Sequence, residues 1–273
     1  MFMESSETPA QGRRRNSPRL RTMPRGHSEA YPELMVLSLV HLGRIAYETG
    51  MALQQQLVEL RHQGRIGNTL LLLEHPPVLT LGRNSDRRNI LADEALLARR
   101  GVAVHEVNRG GDVTYHGPGQ LVGYPILDLR SFTPRMGIVD YVRLLEEVLI
   151  RVAGEFGVPA QRIAGRTGVW TFAGGSIAEK KMAAIGVHVS RGITSHGFAL
   201  NVSTDLRDFE LIVPCGIADR AVTSLADEAE PPPGMQQASH AVARQFGRVF
   251  AHQVLWLEEL SDLDPSLVSV EVG

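Results

Sequence analysis

Cysteine is nearly missing from this chain: one residue in 273, Cys215. A lone thiol excludes an intramolecular disulfide and fits a reducing, cytoplasmic compartment. Lysine is almost as scarce, because 26 of the 28 basic residues are arginine and only the adjacent Lys180 and Lys181 remain. Arginine bias of this kind follows from genome composition. It still leaves a question, since lysine has a compact, burial-sensitive ammonium that arginine cannot imitate. No apolar run approaches the roughly 20 residues that span a bilayer, and the N-terminus has no hydrophobic segment of a secretory signal. A net charge of −2 gives no global reason to expect nucleic acid. What is present is ordinary for a globular protein: 43% hydrophobic and 21% charged residues, in a length that holds one large or two small domains.

Residues 1–32 are polar and arginine-rich with almost no apolar periodicity, and read as a disordered extension. The folded part is expected over 33–260, followed by a frayed tail over 261–273. Strands are expected at 35–40, 69–75, 78–82, 102–107, 121–127, 168–172, 182–189, 193–202 and 209–213. Helices are expected at 44–62, 92–100, 138–156 and 236–258. The third is the clearest, with Ile138, Tyr141, Leu145, Val148, Leu149 and Val152 on one face and Arg143, Glu146, Glu147 and Arg151 on the other. Strands in runs, without strict alternation with helices, point to a single α+β domain of mixed and antiparallel sheets flanked by helices.

The segment Arg109 to Gln120 is the least scaffold-like stretch. Four glycines and a proline deny it a helix, yet it carries Arg109, Asp112, Thr114, Tyr115, His116 and Gln120. It is joined to the apolar run Leu121–Leu127, so the reading is a binding wall fastened to a core strand. Cys215 lies between Pro214, which ends a strand, and Gly216, which permits a turn. A thiol at such a junction becomes a nucleophile where a cation lowers its pKa, and Lys181 at the start of another strand is a candidate for that cation. On the same reading Lys180 is a solvated turn charge.

Five motifs follow in order: Leu73 to Arg83 (LEHPPVLTLGR), Arg109 to Gln120, Lys181 to Gly186 (KMAAIG), His196 to Val202 (HGFALNV) and Pro214 to Ile217 (PCGI). Together they resemble the octanoyltransferases of lipoate biosynthesis, over about residues 35–258. The resemblance implies the fold shared by lipoate and biotin protein ligases, with no cofactor and no metal. It implies Cys215 as the acyl-accepting thiol and Lys181 as the lysine that tunes it. Substrate-binding positions would be Arg109, Gly110, Gly111, Asp112, Val113, Thr114, Tyr115, His116, Ala184, Ile185, Gly186, Gly197, Phe198 and Ala199. The implied donor is octanoyl-acyl carrier protein. The implied acceptors are lipoyl domains of 2-oxoacid dehydrogenase complexes and the glycine cleavage H protein.

The residues support that chemistry on their own terms. A thiolate exchanging one thioester for another splits a hard transfer into two steps. Gly110, Gly111, Ala184 and Gly186 leave room for an acyl chain, with Tyr115 and His116 expected at the mouth. His116 is expected to orient a reacting group; His196 is either an orienting or a structural histidine. An acidic carrier calls for a basic rim, for which Arg83, Arg87, Arg88, Arg109, Arg130 and Arg135 are candidates. Two other classes compete: an ATP-dependent lipoate or biotin-type protein ligase, and a non-catalytic carrier-protein adaptor.

Overall fold

The computed structural model describes Met1 and residues 35–172, 179–213 and 221–267. The chain divides into two units, Met1–Glu33 and Leu34–Gly273, and every element below lies in the second. Cys215, with its neighbours Pro214 and Gly216, lies outside the described residues.

The run Leu70-Leu71-Leu72-Leu73 explains the centre of the molecule. It sits in β2 (Asn68–Glu74), and all four side chains are fully buried. Because strand residues alternate in direction, Leu70 and Leu72 enter one core and Leu71 and Leu73 another, on opposite faces of the same sheet. On one side β2 pairs in parallel with β1 (Met35–Arg44), and on the other antiparallel with β6 (Gln120–Ile126). β10 (Ile193–Asn201), β9 (Lys180–Ser190), β8 (Arg166–Thr171) and β7 (Ala160–Ile163) extend the sheet beyond β6 as antiparallel neighbours. The opposite edge is β11 (His252–Leu257), parallel to β1 from Met35↔His252 to Val40↔Leu257.

Helix α3 (Ile138–Glu155) and helix α5 (Met235–Phe250) cover one face of this eight-stranded sheet through Tyr141, Leu145, Val148, Val242 and Phe246. Helix α1 (Tyr47–His62) covers the other through Leu53, Leu57 and Leu60. A separate three-stranded sheet holds β3 (Val78–Leu81) between β4 (Ala103–Glu106) and β5 (Val113–His116). Its core includes Leu79, Val113, Tyr115 and Phe209. The α+β class with mixed sheets is what the sequence implies.

Four local expectations change. The strand expected at 209–213 is a 3₁₀ helix over Leu206–Leu211, started by Asp205, whose side chain accepts from the Arg207 N–H. The last helix stops at Phe250: Ala251 turns left-handed (φ 54) with its N–H on the Gly247 carbonyl, and residues 252–257 become β11. Within the glycine-rich stretch, Val113–His116 forms strand β5, because Asp112 ties the preceding turn to Asn89 and to the Asp86 and Val113 amides. On α3, Glu146 is fully buried rather than solvated: it pairs with Arg143 at 2.7 Å and accepts the Gly168 N–H at 3.1 Å. A short helix, α2 (Glu94–Arg99), starts with Asp93 accepting from the Leu96 N–H.

Candidate active site

The two sheets meet around a cavity of about 410 Å³. Motif residues far apart in sequence line it together: Arg109, Gly111, Asp112, Val113, Thr114 and His116 from the β5 stretch, Lys181, Ala184, Ile185 and Gly186 from β9, and Gly197, Phe198 and Ala199 from β10. Pairing explains the last two groups, since Ala184, Ile185 and Gly186 lie opposite Ala199, Phe198 and Gly197. The close fit requires glycine at particular points. A Cβ on Gly82 would lie 2.4 Å from the Gly111 carbonyl oxygen, and one on Gly186 would lie 2.9 Å from that of Gly110. Gly110 is itself held to β9 by its N–H on the Val187 carbonyl.

Tyr115 and Gly110 are not among the residues that line the cavity. Tyr115 is in the same strand as Thr114 and His116, and alternation turns its ring the other way. It packs edge-on to Phe209 and donates its hydroxyl to Asp208 at 2.6 Å. His116 is not at an open mouth either; it is buried.

The cavity wall is electrically unusual. Arg109 is buried, its guanidinium donating to the Thr80 carbonyl at 2.7 Å, the Thr80 hydroxyl at 2.8 Å and the Gly110 carbonyl at 3.1 Å. Burial holds the His116 pKa down to about 3 and that of His196 to about 3, with Arg109 opposing protonation of both. His75, behind Tyr124, is held to about 4 for the same first reason. Its Nδ1 gives a proton to the Ile45 carbonyl at 2.9 Å, so Nε2 accepts from the Tyr124 hydroxyl at 2.7 Å. The histidines are therefore neutral hydrogen-bonding groups, not cations. His196 also has a left-handed backbone (φ 54) inside a strand, an arrangement costing about 1–3 kcal/mol. The Gln54 side chain takes its N–H at 2.6 Å and Asn108 meets its ring at 2.7 Å, so the surroundings hold that conformation.

The two lysines are sorted by the strand. Lys180 reaches Glu228 of the short helix α4 (Leu225–Glu228) at 3.0 Å, so it is an ion-paired residue and not a solvated turn charge. Lys181 lines the cavity, with Nζ 5.4 Å from the centroid of the Trp170 ring. Its backbone N–H donates to the Ala221 carbonyl, its carbonyl accepts from Thr223, and it bridges Val222. Sequence reasoning missed Tyr47, Tyr124, Arg166, Thr167 and Trp170, which also line the cavity. Tyr47 and Trp170 fall within an expected helix and an expected strand, and nothing in their local sequence marks them as cavity residues. Val213 ends the previous described segment, with its N–H on the Asn89 carbonyl.

Residues 46–247 match the lipoyl protein ligase A/B catalytic domain. An octanoyltransferase of Acidobacterium capsulatum is 70% identical over 243 residues, covering 86% of this chain and 99% of that protein. The chain belongs to this octanoyltransferase family. A second family member, the octanoyltransferase of Koribacter versatilis, is 54% identical over 231 residues, 85% of this chain and 91% of its own. Membership makes the protein an enzyme, an acyltransferase. The family fold is shared with lipoate protein ligases. The bipartite ligase of Thermoplasma acidophilum superposes with a TM-score of 0.64 at 19% identity, over 82% of this chain and 87% of its own. A lipoate-protein ligase A bound with ATP gives 0.63 at 17% identity, over 82% and 89%. Among the described residues no helix is long and apolar enough to cross a membrane.

Proposed function

We propose that this octanoyltransferase takes an octanoyl group from octanoyl-acyl carrier protein onto Cys215 and passes it to the lysine amine of a lipoyl domain. The acceptors would be lipoyl domains of 2-oxoacid dehydrogenase complexes and the glycine cleavage H protein. The Cys215 thiolate attacks the carrier thioester carbonyl; the carrier sulfur leaves and is protonated. The acceptor amine then attacks the new thioester, an amide forms, and the thiolate is released with one proton to be carried away. Lys181 supplies the positive charge that favours the thiolate, gives its proton to the leaving carrier sulfur and takes one back from the attacking amine. Apolar wall residues such as Val122, Ile185 and Phe198 suit an alkyl chain.

One observation carries this reading: the backbone six residues beyond Cys215 is hydrogen-bonded to the cavity-lining Lys181, Ala221 accepting at 2.9 Å. That ties Ala221, six residues along the chain from the thiol, to the strand that carries Lys181, and so supports the reading. The test is the intact mass of the pure protein after mixing with octanoyl-carrier protein. One octanoyl adduct is expected, formed without ATP, lost in Cys215→Ala, and discharged by a lipoyl domain. Product that requires ATP and survives Cys215→Ala would mean a ligase. No adduct and no product would mean an adaptor.

A further inference from the structure

Gln120 and Asn201 belong to two of the sequence motifs without a role in the chemistry, and the fold joins them. His116 Nδ1 is 2.7 Å from Gln120 Oε1. Gln120 Nε2 is 2.9 Å from Asn201 Oδ1 and 3.2 Å from the Tyr115 carbonyl. Asn201 Nδ2 is 2.9 Å from the Thr223 carbonyl. Thr223 in turn gives its N–H to Lys181 and its hydroxyl to Glu228. All three side chains of the relay are buried.

The direction of every bond follows from the far end. A carbonyl only accepts, so Asn201 must turn its NH₂ to Thr223 and its oxygen to Gln120. Gln120 must then donate through Nε2, which agrees with its second acceptor, the Tyr115 carbonyl. Its oxygen is left for His116, and an oxygen there requires a proton on Nδ1. We propose that Gln120 and Asn201 are positioning residues that lock His116 in the Nδ1–H tautomer and fix Nε2 as a hydrogen-bond acceptor toward the cavity. What that acceptor meets, an N–H or S–H of the reacting partners, rests on the transfer reading above; the tautomer does not.

Burial is the first cause that keeps His116 neutral, and His75, Arg109 and His196 add to it. His75 lies 6.2 Å away between ring centroids and Tyr47 stacks at 6.3 Å, while Arg109 and His196 oppose added positive charge. A carboxylate at position 120 would reverse this by favouring the imidazolium.

The full-length protein labelled with ¹⁵N-histidine tests the relay directly. The His116 ring, identified by its loss in His116→Gln, is expected to carry its proton on Nδ1 across about pH 6 to 8. Gln120→Leu is expected to release the tautomer and slow octanoyl transfer by about tenfold or more, and Asn201→Leu, which leaves the Tyr115 carbonyl to orient Gln120, by less. Gln120→Glu is expected to add an acidic limb to the pH–rate profile near the ordinary histidine range, absent from the unsubstituted protein. A proton found on Nε2 overturns the proposal, whether or not the variants fold. So does a Gln120→Glu enzyme with an unchanged pH profile. Failure of octanoyl transfer with the Nδ1–H signature intact would count against the reaction and not against the relay.

Discussion

Neighbouring residues on a strand face opposite sides, and Lys180 and Lys181 show what that does to two identical side chains. Lys180 neutralises Glu228, a carboxylate only 4% exposed that also takes the Thr223 hydroxyl. Lys180→Ala would leave that acid without its cation, so we expect a loss of about 1–3 kcal/mol in thermal unfolding with the acyl-transfer chemistry retained. Lys181 runs past Gly168, where a Cβ would sit 2.9 Å from its Cε, and beneath Trp170. A guanidinium does not release its proton at neutral pH. Lys181→Arg should therefore fail about as badly as Lys181→Ala in the rate of transfer. An Arg variant with most of its activity would reduce Lys181 to a fixed charge, and a more damaging Lys180→Ala would undo the assignment within the pair. The pair is visible in the sequence because lysine is so rare here. Its partners are not: Gly168 and Trp170 become neighbours through the pairing of β8 with β9, and Glu228 is brought in by helix α4.

Glycine separates positions where the chain needs space from positions where it merely has it. In β6, a Cβ on Gly123 would fall 2.1 Å from the Phe198 ring, which lies across the bare Cα and lines the cavity. Gly123→Ala should cost about 1–3 kcal/mol and disturb substrate binding, since that ring must move. In α3, Gly154 is exposed, and a Cβ added there would meet nothing within 4 Å. Gly154→Ala should raise stability by about 0.5–1 kcal/mol, measured by denaturant unfolding, and leave activity unchanged. If both substitutions behave alike, the contact argument fails. Sequence patterning identifies α1, α2 and α3 and the strands β1 to β4, β6 and β8 to β10, with α3 and β2 the clearest for their strong period or uninterrupted apolar run. It misjudges β11 because His252–Leu257 continues the helical composition, and the switch depends on a left-handed Ala251 and on β1 offering a parallel edge. It hides β5 inside a glycine-rich stretch, since pairing with β3 outweighs the local turn preference. The cavity's three motif walls are legible as motifs; the aromatic closure by Tyr47, Tyr124 and Trp170 is not.

For the molecule as a whole, the buried neutral histidines tie folding to pH. His75, His116 and His196 are held to about 4, 3 and 3 by burial, whereas in the unfolded chain each takes up a proton near the ordinary 6.5. Between those limits the unfolded state binds more protons than the folded one, so stability falls as pH falls. The contribution is complete above about 6.5, and each histidine removes up to about 1.4 kcal/mol per pH unit below it. Carboxylates held low by arginine, Asp128 beside Arg130 and Glu147 beside Arg151, act in the same sense. Their loss begins only when unfolded carboxylates protonate, near 4, so the two effects occupy different windows. The thermal midpoint should be level above about pH 7 and decline from about 6.5 toward 4.5, before any carboxylate takes part. Calorimetry in buffers of different ionisation heat should detect net proton uptake on unfolding in that interval. A level midpoint there, or no uptake, would mean the histidines can be protonated inside the fold, and the neutral state assigned to them would have to be abandoned.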